Sequence, residues 1–184
     1  MNKIFLDCGG NKGQSIIRFK KSKEYSNDFK LYSFEPVPFL AKKYSDMSGV
    51  NVLMNAVWIY DGEVAFYFNK KSSRPEGSTL MKSKVHKKIE KKPHMVKCID
   101  FSKWIMDNFS KDDYIILKVD IEGAEYEVFE KMLTDGSINY IDKAYVEFHY
   151  DKIHMEKSKH DELIKKLKNI DGFELLPEMA SVIK

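Results

Sequence analysis

Lys118, Asp120, Glu122 and Glu125 crowd the end of the apolar run Ile115-Ile116-Leu117, with Gly123 among them. Burying charge is costly, so ionisable groups gathered at the tip of an apolar strand point to a site rather than to packing. Glu147 and His149 close a second apolar run, over Lys143 to Phe148. Residues two apart in an extended chain point the same way, so these two side chains would reach a common point that Asp120 can meet. Two kinds of chemistry suit such a set. A positioned base can take a proton from a hydroxyl. His149 has the unperturbed pKa for that work, with Asp120 as the other candidate, positioning the hydroxyl or orienting the histidine. Alternatively Asp120, Glu147 and His149 are ligands that Mg²⁺ or Mn²⁺ accepts, and a cation there would lower the pKa of a bound hydroxyl. Glu122 and Glu125 also have a plainer role as negative charge at the start of a helix.

A second constellation stands near residue 7. Ile4 to Asp7 reads as a short buried strand, and Asp7-Cys8-Gly9-Gly10-Asn11-Lys12-Gly13 leads from it into a helix over Gln14 to Lys23. Glycines allow close approach of the backbone to a ligand, and the helix start offers free N–H groups. Glu35 ends the next strand, Leu31 to Glu35, about 20 residues past Gly13, where doubly wound folds place a carboxylate for two ribose hydroxyls. The loop is not a dinucleotide fingerprint, because Asn11 stands where a second pattern glycine would fall. Asp7 would repel a phosphate and attract a cation. S-adenosylmethionine carries a ribose, an ammonium and a sulfonium but no phosphate, so the loop favours it over a nicotinamide dinucleotide.

The remaining elements must hold these two constellations together. Phe39 to Met47 reads as helical and Asn51 to Val57 as a third strand. Asp61-Gly62 between Val57–Tyr60 and Val64–Phe68 is a strong hairpin signal. Residues 70–92 lack periodicity and read as a mobile loop or lid. Val96 to Asp100 is a short extended piece, Phe101 to Phe109 a helix, Tyr114 to Val119 a strand and Ala124 to Leu133 a helix. Lys157 to Asn169 is an amphipathic helix, and Gly172 to Leu176 and Ala180 to Ile183 read as two closing strands. Alternating strands and helices predict one α/β domain over residues 1–184. Its expected architecture is Rossmann-like and doubly wound, with a mostly parallel seven-stranded sheet, an antiparallel edge strand, helices on both faces and an inserted β-hairpin.

Net charge is only +3, which excludes a general polycation. The stretch 82–97 nevertheless holds seven lysines and a single acid, Glu90. It reads as a solvated face or as a patch for an anionic partner. Two cysteines, no signal peptide and no run long enough to span a bilayer predict free thiols, a cytoplasmic location and no membrane partner. His86, His94, His154 and His160 sit in polar, Lys-rich surroundings and are assigned no chemistry.

These motifs, in this order, resemble the FkbM-type methyltransferases. The Asp7–Gly13 loop, Phe34-Glu35-Pro36, Asn55-Ala56-Val57, the run Lys118–Glu125 (Lys-x-Asp-x-Glu-Gly-x-Glu) and Glu147-Phe148-His149 all match that family's pattern, with Gly10 in place of the usual alanine. That change reads as harmless or slightly loosening. The resemblance implies a Rossmann-like fold and S-adenosylmethionine as cofactor. It places Asp7, Gly9, Asn11 and Gly13 around the cofactor's amino-acid part, Glu35 on its ribose, and Asn55 and Ala56 near its adenine. It also implies O-methylation of a small molecule or glycan, a sugar hydroxyl before others. RNA 2′-O-methylation is the alternative, since Lys118, Asp120 and Glu147 partly match a Lys-Asp-Lys-Glu set and the 82–97 run could meet phosphates. A non-catalytic cofactor-binding module is a further one, disfavoured because the reaction-centre acids are present.

Overall fold

The computed structural model describes residues 1–69, 77–83 and 89–183. In chain order its elements are β1 (Lys3–Cys8), α1 (Gln14–Lys21), β2 (Phe29–Phe34), α2 (Pro38–Ala41), β3 (Val50–Leu53), β4 (Ala56–Trp58), β5 (Gly62–Phe66), β6 (His94–Asp100), α3 (Phe101–Asn108), β7 (Tyr114–Val119), α4 (Glu125–Asp135), β8 (Lys143–Val146), α5 (Lys157–Lys168), β9 (Glu174–Pro177) and α6 (Met179–Val182). Six strands form one sheet in the order β3-β2-β1-β7-β8-β9, and every pairing in it is parallel.

Alternation along the central strands divides the core. Ile4, Leu6, Cys8, Ile115, Leu117 and Val119 pack with α3, α4 and α5. Phe5 and Ile116 face the other way and pack with Ile16 and Phe19 of α1 and with Met179 of α6. Helices therefore cover both faces, as the apolar strands require. The strand order reverses at β1, which lies between β2 and β7. Ligands of open α/β sheets bind beyond the strand ends at such a switch point.

Three expectations are corrected. Among the described residues the main sheet has six strands, not seven, and no antiparallel edge. Residues Ala180 to Ile183 are not a strand but lie largely within α6. A helical turn brings Met179 and Ile183 to one face, and both pack against the α1 side of the core. The hairpin is also absent. β4 and β5 flank the bend over 59–61 but do not pair with each other. β6 lies between them, parallel to β4 and antiparallel to β5, so Cys98 is in register with both Ala56 and Gly62. The apolar piece at Val96 is thus the centre of a second, three-stranded sheet.

No helix among the described residues is long and apolar enough to cross a membrane. Cys8 and Cys98 are both buried free thiols.

Candidate active site

The first loop is built by cross-strand register. Asp7 of β1 stands beside Ser33 of β2 and Lys118 of β7. Its carboxylate lies 3.2 Å from Lys118 Nζ and accepts from Ser33 Oγ at 3.4 Å. Lys118 Nζ also donates to the carbonyls of Gly9 at 2.8 Å and Cys8 at 3.3 Å. Both side chains are buried. Asp7 therefore supports the loop from beneath rather than facing a ligand, and Lys118 is committed to the same strut. Burial works against the Lys118 ammonium, but Asp7 and Asp120 more than offset it and raise its pKa.

Above this strut the chain turns tightly. Gly9 has a φ of 81°, and a Cβ there would collide with the carbonyl of Asp120. A Cβ on Gly10 would collide with Ser33 Oγ and with the Tyr44 hydroxyl, which are themselves hydrogen-bonded at 2.8 Å. Glycine at position 10, which read as a harmless or slightly loosening change, is thus fitted tightly to Ser33 and Tyr44.

Glu35 follows β2 and is buried. Its Oε2 accepts from the Asn11 N–H and its Oε1 from the Val37 N–H, each at 2.8 Å. Burial raises its pKa to about 7 against the pull of those two N–H groups.

A cleft of about 620 Å³, including the solvent at its mouth, opens at the switch point. Gly9, Asn11 and Glu35 form one wall, Ala56, Val57 and Phe66 a second, and Asp120 to Glu122 a third. Asp7, Gly13 and Asn55 are not among its lining residues. Asn55 falls in the link between β3 and β4 rather than at a strand end. Gly77, Ser78 and Leu80 close one side. They belong to the 70–92 segment, of which 70–76 and 84–88 lie outside the described residues. Thr79 pins its near part, exchanging backbone hydrogen bonds with Tyr67 and donating from Oγ1 to the Glu122 carbonyl at 2.6 Å. Lys82, Lys91, Lys92 and Lys97 of the basic run are exposed.

The second constellation assembles beside this cleft. Glu125, wholly buried at the start of α4, accepts from the N–H groups of Ile121 and Gly123 and from His149 Nδ1, the last at 2.8 Å. His149 Nε2 faces Glu147 at 3.1 Å, Glu122 at 3.6 Å and Asp120 at 3.8 Å. Glu122 holds a left-handed φ of 57°, uncommon for a residue with a side chain. Burial opposes a charged imidazole here, but the bonds to Glu125 and Glu147 prevail and lift the His149 pKa to about 10. His149 in turn holds Glu147 well below the ordinary carboxylate range. Asp120 is raised to about 6, chiefly by burial, with Lys118 opposing and Glu147 and Glu122 adding to the rise. Asp120, Glu122 and His149 each offer one ligand atom, and these atoms lie within 4.8 Å of one another. Glu125 is the residue whose weight the sequence understated: it lies in the first turn of α4, but its side chain caps no helical N–H and instead holds the preceding turn and fixes the orientation of His149.

Asp120, Glu147 and His149 thus meet at one point, and Gly9, Asn11, Glu35 and Ala56 share one cleft beside it. No curated protein and no solved structure matches the chain. The family model for the Methyltransferase FkbM domain does match, over residues 7–175, from the Asp7 loop to β9. A match over nearly the whole chain, through every motif assembled around the two constellations, means that this protein belongs to the FkbM methyltransferase family.

Proposed function

We propose that the chain is an S-adenosylmethionine-dependent O-methyltransferase acting on a sugar hydroxyl. The observation that carries this reading is the cleft at the switch point, where Glu35 and the Gly9–Asn11 turn meet Asp120. The residues fit the cofactor. The buried Asn11 Oδ1 has no hydrogen-bond partner among the described residues and borders the cleft, Glu35 offers carboxylate lone pairs to ribose hydroxyls, and Ala56, Val57 and Leu40 give an apolar wall for adenine. When bound, the cofactor supplies an electrophilic methyl group on a sulfonium.

Methyl transfer to a hydroxyl releases one proton, and the protein's acids must receive it. Asp120 suits this role better than His149. It lines the cleft, and with a pKa near 6 it is mostly ionised at neutral pH. His149 already carries its proton there, so it orients and balances Glu147 and Asp120 instead. A divalent cation, Mg²⁺ or Mn²⁺, fits the same cluster. His149 would release its Nε2 proton on taking such an ion; with Nδ1 held by Glu125, the freed Nε2 would be the ligand atom, the arrangement usual for histidine ligands. Asp120, Glu122 and His149 would hold such an ion, which would polarise the acceptor oxygen. RNA methylation is less well supported, because Lys118 is engaged beneath the loop rather than presented to a substrate.

The test is transfer of labelled methyl from S-adenosylmethionine into a panel of sugars and RNA, with Asp120→Asn beside the wild type. Incorporation into a sugar that falls roughly 10²–10⁴-fold in the variant supports the reading. Incorporation into RNA alone, or full turnover by Asp120→Asn, contradicts it. Loss of turnover with chelator, restored by Mg²⁺ or Mn²⁺, selects the cation-assisted form.

A further inference from the structure

A second cavity lies on the α1 side of the sheet, and Asp120 lines both it and the cofactor cleft. Its walls are Ser15 and Arg18 of α1, Lys118 and Asp120 from β7 and its end, Tyr145 and Glu147 from β8 and its end, and Glu178 just before α6. Counting the solvent at its open mouth, it spans about 340 Å³. Nothing in the family motifs points to Arg18 or Glu178.

The wall is rich in hydrogen-bond acceptors. Asp120, Glu147 and Glu178 bring three carboxyl groups to this one wall. Asp120 and Glu147 each already face a cation: Lys118 Nζ, held chiefly by Asp7 and the carbonyls of Cys8 and Gly9, lies 3.8 Å from Asp120, and His149 Nε2 lies 3.1 Å from Glu147. Arg18 is left as the cation within electrostatic reach of Glu178. A phosphate or carboxylate entering here would meet carboxylates whose cations are already engaged, so it would have to compete for a positive partner, which disfavours a wrong ligand. A ligand with several O–H donors would pair with those same oxygens, and Arg18 would donate to one of its oxygens.

We infer that this second cavity is the acceptor pocket, and that it takes an uncharged sugar through neighbouring hydroxyls in preference to phosphorylated sugars and nucleotides. The inference rests on the methyl-transfer reading, since Asp120 then stands between donor and acceptor. Arg18 and Glu178 are its specificity residues, and Glu147 anchors the hydroxyl nearest Asp120.

Saturation-transfer NMR on protein loaded with S-adenosylhomocysteine tests it, with methyl glucoside, methyl mannoside and methyl galactoside set against glucose 6-phosphate and uridine monophosphate. The neutral glycosides should bind at least about tenfold more tightly than the phosphates. Glu178→Gln should weaken glycoside binding about tenfold, the scale of one hydrogen bond to a charged group. Glu178→Lys should shift preference toward the phosphates, which a merely structural role would not do. Tighter binding of the phosphates by the wild type, a preference indifferent to Glu178→Lys, or no glycoside binding by protein that does take up S-adenosylhomocysteine would overturn the inference alone. Failure to bind S-adenosylhomocysteine would remove the methyl-transfer reading beneath it.

Discussion

Glu125 and His149 form a wholly buried carboxylate–imidazole pair, with Glu125 Oε1 2.8 Å from His149 Nδ1. The same carboxylate accepts from the N–H groups of Ile121 and Gly123. One side chain therefore shapes the turn that presents Asp120 and Glu122 and also aims the ring they face. Removing one partner of a buried charged pair is far costlier than the pair's net worth. Glu125→Ala should lose about 3–5 kcal/mol of stability in urea denaturation, and Glu125→Gln less, because an amide oxygen still serves the backbone N–H groups. A Glu125→Ala midpoint equal to that of the wild type would contradict this assignment.

The charge on His149 gives stability a definite pH dependence. Its pKa is about 10 in the folded chain and about 6.5 in an unfolded one. The native state thus holds the proton more tightly. The stabilisation is complete below about 6.5, shrinks through the interval between the two values, and is gone once pH passes the folded pKa. In chelator, the urea midpoint of the wild type should fall between neutral pH and pH about 10, and His149→Gln should flatten that fall. Parallel pH profiles for the two proteins would contradict the assignment.

Gly10 carries a sharper steric prediction. A methyl there meets Ser33 Oγ and the Tyr44 hydroxyl inside contact distance. Gly10→Ala should cost about 1–3 kcal/mol, the usual range for overpacking, and Tyr44→Phe in the same chain should recover part of it. Thermal melts of the three variants check this. An unchanged melting temperature in Gly10→Ala would show that the loop yields more easily than its packing indicates.

Much of the site was legible because strand ends are legible. Apolar runs that stop at Asp7, Glu35, Asp120 and Glu147 locate the carboxyl edge of a parallel sheet, and that edge is where ligands gather. The sequence could not tell which acids face the ligand. Asp7 looks the same in sequence whether exposed or buried, and its cross-strand partners Ser33 and Lys118 lie far away along the chain. The chain does reverse near Asp61-Gly62, through a bend over 59–61 with Gly62 already in β5, but a reversal does not exclude a third strand from the gap between its arms. Met179 and Ile183 show the helical i, i+4 spacing, yet four residues are too few for periodicity to separate a helical turn from a strand. Arg18 and Glu178 escaped notice because single charges in or beside helices ordinarily face water.

The central claim is that the cleft between the Gly9–Asn11 turn, Glu35 and Asp120 binds the methyl donor. Isothermal titration calorimetry with S-adenosylhomocysteine across a range of pH tests it most directly. Glu35 accepts ribose hydroxyls best when ionised, and its pKa is held up at about 7 by burial. Affinity should therefore rise as pH climbs through about 7, because the ionised fraction rises. Glu35→Ala should weaken binding by about 1–3 kcal/mol and remove that pH dependence, and NAD should give no heat. Absence of S-adenosylhomocysteine binding in the wild type, or an affinity and pH profile unchanged by Glu35→Ala, would contradict the account.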